Sequence, residues 1–167
     1  MQNISPKRIL TFLLYFCIVA TALLAPLFAV CKAPVGSDES YSGYSLFAQL
    51  VAGGNNGSAD EQFRAVAGIS AALLACGIVA FFTTFMLELH LADSFIHKLI
   101  DYIVFFVLLA LAIAFAVIGS QYASAVRLEY GAAYVPAILI GVFVLAIFAI
   151  QLCVREERPS EYKAANI

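Results

Sequence analysis

Apolar residues run through this chain in four long blocks, and polar residues gather in the intervals between them. The first block is Ile9 to Cys31, ILTFLLYFCIVATALLAPLFAVC. The second runs from about Phe63 to Leu89, the third from Leu99 to about Ser120, and the fourth from about Ala132 to Val154. Each is near or above the ~20 residues with which a helix crosses a hydrocarbon core. Backbone polar groups cannot be left unpaired against lipid, so helix is the state expected of all four. The pattern therefore predicts an all-α membrane protein. It is a single four-transmembrane-helix bundle over residues 1–167, with spans at about 9–31, 63–89, 99–120 and 132–154 and a tail over 155–167.

The longest interval, residues 32–62, becomes the first outer loop. It opens with KAPVGSDESYSGYS, rich in turn formers. LFAQLV follows, apolar enough for a short strand or a membrane-hugging helix. AGGNNGSADEQ then reads as a turn leading into a helix start. Ser58 or Asp60 can cap that helix, and Glu61 suits the positive end of its dipole. Asn56-Gly57-Ser58 is an acceptor triplet for N-glycosylation, and Asn3-Ile4-Ser5 is a second one on the opposite side, where it is inert.

Composition and charge sharpen this picture. The chain is 63% apolar and 12% charged, against about 25% charged in soluble domains. Its mean hydropathy is +0.96, so the lipid bilayer is the natural solvent. A net charge of −2 gives no reason to expect nucleic acid as a partner. Lys7, Arg8, Lys98, Arg155, Arg158 and Lys163 fall on one side of a four-span layout, and Lys32, Arg64 and Arg127 on the other. The positive-inside rule then puts both termini in the cytoplasm, most simply at the plasma membrane. Lys7 and Arg8 also fit the start of a signal peptide. The apolar run that follows exceeds the ~7–15 residues of a signal core, so it is expected to stay as a span. There is no Trp. Tyr15, Tyr102, Tyr122, Tyr130 and Tyr134 must supply the interfacial anchors.

The spans carry few groups with which to do chemistry. Glu88 and Asp101 sit near span ends, and the centres hold only Thr, Ser and Cys. Ion paths and proton relays need ionisable groups inside the membrane, so a pump, transporter or channel is not expected. Pro26 and Pro136 lie near span ends, as punctuation. His90 and His97 are seven residues apart, not the four that suit a metal on one helix face, and with Asp93 they read as a solvated turn. Cys17, Cys76 and Cys153 are in or at the ends of spans. That leaves Cys31 no partner in the outer loop, only an intermolecular bond. No catalytic, metal or cofactor site is expected, no small-molecule substrate is evident, and an enzyme is the last choice.

What the spans do carry is small residues at steps of four: Ala67, Ala71 and Ala75; Ala112 and Ala116; Ala133, Ala137 and Gly141. Such strips let helix backbones approach closely, so a bulky residue at Gly141 is expected to push neighbouring helices apart. In the outer loop, Tyr41, Tyr44 and Phe47 in YSGYSLF are expected to form a contact surface, because aromatic side chains bury area at low entropic cost. Replacing residues 41–47 with Gly and Ser is expected to remove that contact and leave the four helices folded.

Four spans, cytoplasmic termini, a long first outer loop and a short second one resemble the claudin-like superfamily in plan. FRAVAGISAALLACGIVAFF and YGAAYVPAILIGVFVLAIFAI, about forty positions, resemble amastins, surface proteins of trypanosomatid parasites. Claudins carry a Trp-containing signature and a cysteine pair in the first loop, and amastins a Cys-to-Cys signature there. This loop has neither, so no individual site residue carries over. The resemblance implies a non-enzymatic surface or membrane-organising protein. An accessory subunit of a larger membrane complex, packing on other membrane proteins through its small-residue faces, is the alternative. A membrane-organising protein of the MARVEL type shares the same plan.

Overall fold

The computed structural model describes residues 6–32, 40–54, 60–90 and 95–153, of which 6–8, 85–90, 95–98 and 101 are described by backbone alone. Helix α1 spans Pro6–Leu24 and opens on a proline, where the first turn needs no donor. Pro26 ends it, since a proline cannot donate the next helical hydrogen bond, and the chain passes through a 3-10 turn over Ala25–Leu27. Strand β1 follows at Ala29–Lys32 and β2 at Ser40–Ser42. Helix α2 is Gly43–Val51, α3 is Asp60–His90 and α4 is Phe95–Ala125. Strand β3, Glu129–Tyr130, leads into α5 at Val135–Cys153.

Four of these helices are long and apolar enough to cross a membrane, over Ile9–Leu27, Asp60–Thr84, Tyr102–Ala125 and Val135–Cys153. They run alternately up and down in a ring: α1 packs on α3 and α5, and α4 packs on the same two. Their shared interior is mainly apolar, with Ile18, Ala22, Leu108, Ala112 and Ile140 fully buried, and Thr84 on α3 is a buried polar residue. A second core lies at one end, where Val30, Leu46, Phe63, Val66 and Phe115 meet beneath the strands.

The strands form one antiparallel sheet in the order β2-β1-β3. Cys31 faces Tyr41 on one side and Tyr130 on the other, and a bulge interrupts β1 between Ala29 and Cys31. The central strand comes from the end of the first apolar block. That block is therefore not one helix to Cys31. Its last residues are apolar because the sheet buries them, with Val30 and Cys31 fully covered. LFAQLV, open between strand and helix by sequence, lies within α2. The second and third blocks become helices longer than their apolar runs, and the fourth helix begins at Val135, later than 132.

Candidate functional site

The sheet-capped end of the bundle is the region of the molecule with a shape of its own, and a few local contacts build it. Ser42 and Ser45 start α2 as a reciprocal cap. The Ser45 amide donates to Ser42 Oγ at 3.2 Å and the Ser42 amide donates to Ser45 Oγ at 2.9 Å. Gly43 lets this helix start press against the bundle, since a Cβ there would lie 2.8 Å from the Phe115 ring and closer still to Ser70 Oγ. The Tyr44 hydroxyl donates to the carbonyl of Leu23 at 2.8 Å, in the last turn of α1 where helical donors run out. Burial pushes its phenol above the ordinary value.

The third interval, between α4 and α5, is sewn into the same end. After α4 the chain turns through Arg127, a non-glycine residue in the left-handed region at φ 55°. The Leu128 amide returns to the Ala123 carbonyl at 2.9 Å and closes the helix end. Tyr130 donates its hydroxyl to the Ala116 carbonyl at 2.8 Å and lies 6.1 Å from the ring of Tyr134. Burial, and secondarily Tyr134, raise its pKa. Gly131 donates its amide to Val30 at 2.9 Å and passes so close to β1 that a Cβ would come within 2.7 Å of the Ala29 carbonyl carbon. Cys31 sits buried in this sheet, and that burial pushes its thiol up to about 11.

These contacts reassign the loop aromatics. Tyr41 packs on the sheet-end core, Tyr44 is tied to α1 and Phe47 is half-buried. The freely exposed face of α2 is Ala48, Gln49 and Val51, the last 73% exposed. Tyr130, Tyr134 and Gly131 also build this end, a role that sequence reasoning missed. The YGAAY spacing, a glycine flanked by aromatics between two spans, is the signal that marks them.

The small-residue strips wind as they run, because a step of four residues drifts by about 40° on a helix. Ala67 is buried, Ala71 half-buried and Ala75 exposed. Ala112 is buried and Ala116 half-buried. Ala133 is buried in the sheet-end core, before α5 begins, and Ala137 and Gly141 are half-buried. A Cβ on Gly141 would meet only Leu109, at 3.9 Å, which is ordinary contact. The tight approach in the bundle is at Gly77, where a Cβ would fall 2.7 Å from Leu23 Cδ2.

Hydroxyls along the spans mostly turn back onto their own helices. Thr21 donates to the Cys17 carbonyl, Ser70 to Val66, Thr83 to Val79 and Ser120 to Val117, at 2.7–3.0 Å. Thr84, buried on α3, has no hydrogen-bond partner for its Oγ1 among the described residues. At the end away from the sheet, Tyr102 donates to Gln151 and stacks on Phe148 at 5.3 Å, joining α4 to α5. Among the described residues, no three His, Cys, Asp or Glu side chains gather where they could hold a metal. Asn56, Ser58 and Asp93, and the side chains of Glu88, His90, His97 and Asp101, lie outside the described residues. Asp60 begins α3 and pairs with Arg64 at 2.7 Å.

No protein-family model, curated protein or solved structure matches this chain.

Proposed function

We propose that the chain is a non-enzymatic integral membrane protein, claudin- or amastin-like in plan. In this reading it works as a surface or membrane-organising protein through its sheet-capped end. Both termini lie in the cytoplasm and the sheet faces outward, as the distribution of basic residues favours. The observation that carries this reading is the sheet itself. It draws the end of the first apolar block (β1), the first interval (β2) and the third interval (β3) into one end, and α2 presents Gln49 and Val51 from it. A linker between spans needs neither a sheet nor a capped helix. The partner is another membrane protein, identical or different, met through that end.

The accessory-subunit reading is favoured by one other observation. Ala75 is exposed on α3, so part of the smooth face is left unused by the bundle. A photo-crosslinking residue at Val51 or at Ala75, activated in intact cells, separates the two. Adducts from Val51 support the proposed function. Protein adducts from Ala75 alone overturn it in favour of the accessory role.

A further inference from the structure

The two middle spanning helices are much longer than the outer two. At 1.5 Å per residue, the 31 residues of α3 and of α4 measure about 46 Å, and the 19 of α1 and of α5 about 28 Å. Only the shorter pair matches the ~30 Å of a hydrocarbon core. Much of the excess lies at the sheet end. Leu23, one residue from the end of α1, is level with Gly77, and Gly43 is level with Ser70 and Phe115. A further ten residues of α3, Asp60–Ile69, and of α4, Ala116–Ala125, rise beyond Ser70 and Phe115.

The outer surface changes along the same line. On α3, exposed large apolar side chains begin at Ile78, with Val79 at 59% and Phe82 at 56%. On α4 they stop at Val117. Beyond, the exposed residues are Glu61, Arg64 and Gly68 on α3, and Gln121, Ser124 and Ala125 on α4. The apolar residues of those upper segments, Phe63, Val66, Tyr122 and Ala123, are buried under α2 and the sheet. On α5 the exposed apolar face starts at Ile138, one turn after Tyr134. Tyrosine at that border suits the interface between lipid and water.

We propose that the hydrocarbon core covers α3 only from about Ser70 and α4 only as far as about Val117. The first ten residues of α3 and the last eight of α4 stand in water as a buttress for the sheet and α2. The partner of the lower belt is lipid, and the surface offered to any other protein begins about 15 Å below the tip of α3. This boundary rests on the membrane reading above. Hydropathy alone starts the span at Asp60 because it counts apolar residues that protein, not lipid, covers.

The absence of tryptophan makes a test direct, since a single introduced Trp has no background. Phe82→Trp, Phe106→Trp, Arg64→Trp and Gln121→Trp, all at exposed positions, are reconstituted in phosphatidylcholine vesicles with and without brominated acyl chains. Helical circular dichroism serves as the check of folding. Phe82→Trp and Phe106→Trp should lose fluorescence severalfold with brominated lipid. Arg64→Trp and Gln121→Trp should be unaffected and emit at longer wavelength. Strong quenching at Arg64→Trp and Gln121→Trp would overturn the boundary and leave the four spans standing. No quenching at any of the four would overturn the membrane reading itself.

Discussion

Cys31 shows how a residue's surroundings override its type. An exposed thiol with the ordinary value of 9.0 is about one-tenth thiolate at pH 8, whereas one raised to about 11 is about one-thousandth. Maleimide should therefore modify Cys31 in the folded protein at least ~100-fold more slowly than in denaturant, burial adding to the chemical effect. Exposed Cys153 serves as the internal comparison. The same shift has a sign for stability. Between pH 9 and 11 the unfolded chain releases a proton that the folded one keeps, so the contribution is intact below 9 and is lost as pH rises through that window. Gly131 makes the complementary point, because its neighbour is backbone and cannot step aside. Gly131→Ala should cost about 1–3 kcal/mol as overpacking and lower the thermal midpoint in detergent. Gly141→Ala should change it little. Equal losses would place the tight contact elsewhere.

Among the elements, α2 depends on a few polar contacts at its start. Ser42→Ala removes one half of its cap and should cost about 1 kcal/mol. Tyr44→Phe leaves the Leu23 carbonyl without its donor and should cost about as much. Hydrogen exchange of the α2 amides is the sensitive measurement, and unchanged protection in both variants would mean apolar packing alone holds the helix. The sequence made the four long helices legible because each apolar run has a length that only a helix can use in lipid. It also showed where the first one weakens, at Pro26. It could not separate apolar residues that face lipid from those that face protein. Val30 and Cys31 therefore read as the end of a span and are a strand, and Phe63 and Val66 read simply as the start of the second span and lie buried in the sheet-end core. The sheet was illegible because its strands are two to four residues long. Of the loop aromatics, sequence marked the right segment, but Gly43 and the serine pair give it a packing role that composition does not reveal.

For the molecule as a whole, the consequence is that the segment 41–47 is structural before it is anything else. It contains β2's Tyr41, the cap, the close-packed Gly43, the Tyr44 tie and buried Leu46. Replacing it with Gly and Ser should therefore unseat α2 and the sheet-end core as well as any contact, the opposite of what the loop's composition leads one to expect. Thermal unfolding of that variant should show a clear drop, whereas Gln49→Ala with Val51→Ala should leave the midpoint unchanged. A full-strength midpoint in the Gly/Ser variant would return the segment to the role of a simple contact loop.

The pairing of β1 with β3 also fixes an order of events in biosynthesis. β1 meets β2 within roughly 10 residues of chain, but its other edge waits for β3, roughly 100 residues further on. A growing chain thus carries an open strand edge while α3 and α4 are made and inserted, and only the emergence of Glu129 and Tyr130 closes it. Until then the nascent protein displays an unpaired strand of the kind that recruits chaperones or mispairs with a neighbour. Ribosome-bound chains ending before Glu129 should be captured by strand-binding chaperones, and chains long enough to expose Tyr130 should be released.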